Sequence, residues 1–284
     1  MSKASRELLK HSIRAGKRYH FVFDNVQTFT KPRERRIGRE NKMITGLAGT
    51  AVELEDFDDA AFDLHALLQK QAQQERKNLT FMTILEDLDL QHLENVNMVY
   101  FLHALISHVP QLSTLYRKEL ADFSKDTLKK KPIPERRRTK IIPLATNSAN
   151  EMNVQGMKEG ILDFLSTQMG ITCENLGNNI SLISGDGKTF NMLLLLKKMA
   201  APESNDFDAF RWLVPLLELW HTKWTDLSPI VRMHWGTLND PSLLATIAQL
   251  AECPTPSDMK KVDFFQGSHL VNLALNAHLL NCWE

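Results

Sequence analysis

Cysteine is scarce in this chain. There are three in 284 residues, Cys173, Cys253 and Cys282, and none stands in a Cys-x-x-Cys pair. That spacing excludes a structural zinc site of the usual kind and a disulfide scaffold. Three scattered cysteines are instead expected as reduced core thiols of an intracellular protein, nuclear or cytoplasmic. Long apolar runs are missing too. Nothing approaches the roughly 20 apolar residues of a membrane span, and the N-terminus has no apolar segment of signal-peptide length. Neither sign of charge is in excess, because Lys plus Arg and Asp plus Glu number 34 each. Net charge therefore gives no pull towards nucleic acid. Repeats of solenoid period and low-complexity tracts are absent. Ser184-Gly185-Asp186-Gly187-Lys188-Thr189 lacks the Gly-x-x-x-x-Gly-Lys-Ser/Thr spacing, which excludes a triphosphate-binding loop, and no nucleotide cofactor is expected.

What is present is enough apolar residue, 43%, to bury a sizeable core in one large domain or two small ones. The pattern predicts a mostly helical α/β chain. Residues 1–18 form a polar lead-in. Residues 19–56 supply the first strands: Tyr19-His20-Phe21-Val22-Phe23 is a β-rich run ending at Asp24-Asn25, and residues 43–54 form a second strand. Residues 57–140 are a helical insertion, with Pro110 ending one helix. It closes in a basic, proline-broken connector. Residues 141–227 hold a helix over 147–170 capped by Asn147 or Ser148, a strand over 180–183, and a helix over 190–199. Trp220, Lys223, Trp224 and Leu227 follow at i, i+3, i+4 and i+7, one packed helix face ended by Ser228-Pro229. Residues 228–284 are helical, with Asp240-Pro241 opening one helix and Ser268 another. The last helix stops at Cys282-Trp283-Glu284 without a cap, as expected of a truncated gene product.

Two carboxylates carry the chemical argument. Asp24 and Asp186 each end a predicted strand, where a rigid sheet presents a side chain in a loop. If the two strands are neighbours, the carboxylates converge on a site whose hard oxygen ligands suit Mg²⁺. A third acid is not fixed by spacing. Glu218, Asp226 and a residue beyond position 284 all remain open. His221 lies three residues from Glu218 and shares its helix face. An Asp-Asn pair also forms turns in its own right. Two basic runs, 31–42 with Arg33, Arg35 and Arg36, and 125–140 with Lys129, Lys130, Arg136, Arg137 and Arg138, are either solvated connectors or phosphate-contacting arms. His92, His103 and His108 lack convergent partners for a metal site.

The stretches Tyr19–Asn25, 184–190 and Leu217-Glu218-Leu219-Trp220-His221-Thr222-Lys223-Trp224-Thr225-Asp226-Leu227, with His234-Trp235-Gly236 and 260–265, resemble a fungal family. That family is catalogued only as domain of unknown function 6589 and is expanded in mushroom-forming fungi. The resemblance runs from about Arg18 and implies a mobile-element origin. The succession of a strand ending in Asp and a strand ending in Gly-Asp is similar to transposases of the ribonuclease-H-like class. It implies a mixed sheet interrupted by a large helical insertion, and metal-dependent DNA strand cleavage or transfer. Asp24, Asp186, Glu218 and His221 would act in catalysis, with Asp24 and Asp186 as metal ligands. The copy at hand is active or inactive on the same residues. The competing reading is a non-catalytic module that binds nucleic acid or protein.

Overall fold

The structure is a computed structural model that describes residues 3–31, 41–128, 138–150 and 153–283. Its strands are β1 (Tyr19–Thr30), β2 (Lys42–Glu53), β3 (Ile141–Pro143), β4 (Ser181–Gly185) and β5 (Leu213–Leu217). Its α-helices are α1 (Lys3–Arg14), α2 (Leu64–Ala72), α3 (Phe81–Glu86), α4 (Leu90–His108), α5 (Pro110–Thr127), α6 (Val154–Leu162), α7 (Gly187–Ala200), α8 (Leu219–His234), α9 (Leu244–Leu250) and α10 (Phe264–Asn281). The chain divides into two compact units, Met1–Lys77 with Arg138–His221, and Asn78–Arg137 with Thr222–Glu284.

The first unit is built on one mixed sheet in the order β3-β2-β1-β4-β5. β1 pairs antiparallel with β2, and β2 with β3. β4 lies parallel to β1 on its other side, and β5 parallel to β4. Alternation in β1 decides which way each residue faces. Tyr19, Phe21 and Phe23 are buried on one face; His20, Val22 and Asp24 point to the other. The buried face is filled by Met157 and Ile161 of α6, Phe164 of the π-turn Asp163–Gln168, and Leu193 and Leu196 of α7. The Phe23 and Phe164 rings lie 4.9 Å apart. Burying each such ring contributes about 1.5–3 kcal/mol. Leu9 of α1 joins this core and is fully buried, and the partly buried Ile13 packs against it as well, so the polar N-terminal stretch is held on the sheet unit by these apolar residues.

The second unit has its own core. Leu227 and Val231 of α8 pack with Leu244 and Ile247 of α9, Val262, and Leu270 and Ala274 of α10. The Trp224 indole N–H donates to the Val262 carbonyl at 2.8 Å. α4 packs on both α5 and α10.

Several boundaries differ from expectation. β1 does not stop at Asp24 but runs to Thr30, because β2 keeps pairing with it to the end of the hairpin. The helix expected from residue 147 starts at Val154, capped by the Asn153 side chain. Asn147 instead bridges to Leu47 of β2 and bonds the Gly160 carbonyl. Pro110 both follows one helix and opens the next, at a first-turn position where its missing N–H costs nothing. Pro229 does not end its helix: α8 continues through it to His234. Residues 225 and 229 are both exposed there. α9 starts at Leu244 rather than after Asp240, whose side chain is spent on Ser242. α10 starts four residues before Ser268, capped by Asp263. Among the described residues, no helix is long and apolar enough to cross a membrane.

Candidate acidic site on the sheet

Asp24 is a mid-strand residue, yet it stands where the parallel part of the sheet ends. The register pairs Val22 with Ser184, so two residues further along each strand Asp24 comes level with Asp186. Neighbouring strands set their Cα atoms about 5 Å apart. Gly185, just before, is pressed against β1: a Cβ on it would lie 2.8 Å from the Phe23 carbonyl oxygen and 2.6 Å from Thr189. A side chain there would push the Asp186 strand end away from Asp24. Asp186 then caps α7, its carboxylate accepting the Thr189 N–H at 2.7 Å, and Asp24 accepts the Asn25 N–H at 2.8 Å.

Glu218 completes the level. β4 and β5 pair up to Gly185 with Leu217, and the Glu218 N–H donates to the Gly185 carbonyl at 3.3 Å. The next residues, Asp186 and Glu218, are therefore abreast. The register thus sets Asp24 on β1 near the level of Asp186 and Glu218, each of which stands one residue past the end of its strand. His221, in the first turn of α8, holds Glu218 through Nδ1 and Oε2 at 2.8 Å. Its ring meets Trp220 edge-on, with centroids 4.8 Å apart. The packed Trp face is only partly realised, for Trp220 is 43% exposed while Leu227 is buried.

Next to the acids along the strands lie two polar residues to which the sequence reading gave no role, although both stand in family-like stretches. Ser184 is 2% exposed, and its Oγ has no hydrogen-bond partner among the described residues. His20 lies on the same β1 face as Asp24, and its buried Nε2 is likewise unpartnered among those residues. Burial lowers the His20 pKa below the ordinary imidazole value, and the Glu218 charge opposes this only in part. The period-2 alternation of residues 19–24 was the signal that could have placed His20 with Asp24. Lys197 of α7 is another buried polar group. Burial lowers its pKa to about 8, and its ammonium bonds the carbonyls of Arg211, at 3.4 Å, and Leu213 at the start of β5.

Among the described residues, no group of three or more His, Cys, Asp or Glu is disposed to hold a metal ion. Asp24 and Asp186 carry hard oxygen donors of the kind that Mg²⁺ takes. Mg²⁺ is commonly held by one or two carboxylates, with water and substrate phosphate completing its shell. The expected core thiols are a correction: Cys173 and Cys282 are exposed and Cys253 is half-buried, since each falls outside the buried stripe of its segment. Arg138 is exposed. Arg33, Arg35, Arg36, Lys129, Lys130, Arg136 and Arg137 lie outside the described residues.

No curated protein and no solved structure is matched by the chain. Residues 74–284 match the family described as "Family of unknown function (DUF6589)". The matched stretch contains Asp186, Glu218, His221 and the whole Leu-Trp-His-x-Lys-Trp box, and it begins after Asp24. A match over most of the chain's length, reaching from the helical insertion to the last helix, places the chain as a member of the DUF6589 family of unknown function.

Proposed function

We propose that the sheet unit is a ribonuclease-H-like core that cleaves or transfers DNA strands with the help of Mg²⁺. The observation that carries this reading is the position of Asp24 on β1 near the level of Asp186 and Glu218, just past the ends of β4 and β5. The strand order, with an antiparallel β1–β2–β3 part and parallel β4 and β5 beside β1, supports the same core type. So does the position of Asp186 and Glu218 just past the ends of the parallel strands β4 and β5. Asp24 and Asp186 would hold the cation, which supplies charge stabilisation at the phosphate and a more acidic bound water. Glu218 is the third acid in this reading, favoured over Asp226 by its level with Asp186. With Glu218 ionised, its bond to His221 requires the hydrogen on Nδ1, which leaves Nε2 as the accepting nitrogen and fixes the ring. The buried Phe23 and the pressed Gly185 position the first two carboxylates. The mobile-element origin, the fungal setting and an intracellular site of action, nuclear or cytoplasmic, belong to this reading.

Calorimetry with Mg²⁺ or Mn²⁺ on the chain and on Asp24→Asn and Asp186→Asn tests it. Binding lost in both variants, together with metal-dependent nicking of DNA lost in both, is the expected result. Unchanged metal binding in either variant would remove that residue from the site. The lack of a three-ligand group among the described residues favours a second reading, a non-catalytic nucleic-acid- or protein-binding module. That module would bind DNA with a steep salt dependence and be indifferent to Asp186→Asn.

A further inference from the structure

α3 in the second unit is amphipathic and turns its apolar side outward. It buries no residue, and its caps hold it as a helix. The Thr80 hydroxyl accepts the Thr83 N–H at 3.2 Å, and the Thr83 hydroxyl accepts the Thr80 N–H at 2.9 Å. From Phe81 to Leu90 every residue is exposed except Thr83, which is half-buried. Helical spacing puts Phe81, Ile84 and Leu85 on one side of α3 and Thr83 on the opposite side. A surface helix ordinarily lays its apolar side on the core; α3 does the reverse. Leu79 is 62% exposed, Phe81 71% and Met82 60%.

α4 carries the pattern on after the short turn Asp87-Leu88-Asp89. One side of it holds Val96, Val99, Leu102 and Ile106, all half-buried or buried. The opposite side holds Leu90, Leu93, Tyr100 and Phe101, all exposed, at i, i+3, i+10 and i+11. A helix apolar on every side is normally buried, yet only Ala104 and Ile106 of α4 are. Exposed apolar side chains so concentrated mark an interaction site, whereas single scattered ones are ordinary surface. Charge of one sign borders them. Residues 78–116 contain no Lys or Arg, in a chain that has 34, and their acids are Glu86, Asp87, Asp89 and Glu94. Glu86 lies one helical turn from Met82, and Glu94 one turn from both Leu90 and Met98.

We propose that the outer face of α3 and α4 is a docking surface for a basic amphipathic helix of a partner protein. The apolar side of such a helix covers Phe81, Leu85, Leu90 and Leu93, and its Lys and Arg side chains meet Glu86 and Glu94. Charge complementarity selects this occupant. DNA and an anionic membrane carry the wrong sign, and a second copy of this chain would set the same carboxylates against each other. The surface lies wholly within the second unit and serves a partner whether or not the sheet unit cleaves DNA.

The test is fluorescence anisotropy of a labelled synthetic peptide of Leu and Lys at helical spacing, about 18 residues long so that it holds a helix, titrated with the full chain. A peptide of Leu and Glu with the same apolar spacing is the control. The Leu–Lys peptide should bind about tenfold or more tighter than the control, and less tightly as salt is raised. Phe81→Ser combined with Leu85→Ser should weaken that binding by about tenfold or more. Both sites are exposed, so the melting temperature of this first double variant should hold. Glu86→Lys combined with Glu94→Lys should abolish the preference between the two peptides. Should the first double variant misfold, the second supplies the readout. Equal binding of the two peptides by the parent, binding that neither double variant changes, or no binding by the parent overturns the proposal. So does a parent dimer that the first double variant makes monomeric, which would make a second copy the occupant. Binding to phosphatidylserine vesicles that the first double variant abolishes would overturn it in favour of a membrane.

Discussion

At one end of the sheet Glu53 is buried against Lys17, at 3.1 Å, Lys140, at 3.3 Å, and the Tyr19 hydroxyl, at 3.4 Å. At the other end Asp24 and Asp186 accept backbone N–H groups from the described residues, and the polar residues next to them have Oγ and Nε2 atoms unpartnered among the described residues. Both ends place carboxylates on one sheet. The first end neutralises its carboxylate within the chain. The second uses Asp24 and Asp186 to accept backbone N–H groups. The difference is between a buried acid held by two cations and acids held by backbone donors.

The largest expected effect breaks the second end. Asp186→Asn should reduce metal-dependent nicking by more than about a hundredfold, since loss of even an outer partner of a metal ligand costs up to that much. Asn remains a good helix cap, so the melting temperature of this variant should barely move. Asp186→Ala should lose the same activity and about 1 kcal/mol of stability besides. Phe23→Ala comes next, because it undermines the platform behind Asp24. It should cost about 3–5 kcal/mol in urea unfolding, the range for emptying a fully buried aromatic site.

Glu53→Gln sharpens the first end. The two lysines are half-exposed or more and return to water, so the loss should be about 1–3 kcal/mol, mainly from buried groups left poorly paired. Burial pushes the Glu53 pKa up, but the bonds and charges of Lys17 and Lys140 outweigh it, and the folded value is lowered. Its contribution is therefore present above the ordinary Glu pKa of about 4.3 and fades as pH falls through the lower folded value. The parent and Glu53→Gln melting curves should converge in acid. The smallest effect belongs to His20. Its folded pKa is lowered by burial, so the unfolded chain takes up a proton first. Stability should fall as pH drops below about 6.5, and His20→Gln should flatten that part of the melting-temperature profile.

Much of the fold was legible because local patterns and tertiary demands agree. The alternation of Tyr19, Phe21 and Phe23 with His20, Val22 and Asp24 is the buried and exposed faces of β1. Gly185-Asp186 reads as a strand end, and β4 does end at Gly185, but the helix expected from Phe190 already starts at Gly187, capped by Asp186. Three residues, Ile141–Pro143, were not legible as a strand, since their pairing depends wholly on β2. The end of β1 was misread for the same reason: Asn25 and Thr30 are strand residues only because residues 42–47 lie opposite. Ser184 stands in one of the family-like stretches but has no role marked there, and its place beside β1 follows from pairing with Val22.

By itself, then, the sequence determined an α/β chain with a helical insertion, two acids at strand positions, and a basic stretch between its first two strands. Those features depend on residue type and short-range periodicity. Only the tertiary structure decided that Asp24, Asp186 and Glu218 stand near one level, and that the β1–β2 ribbon continues beyond it. A parallel register joins residues far apart in the chain, and it is fixed by which side chains the buried face accepts. No local spacing encodes that choice.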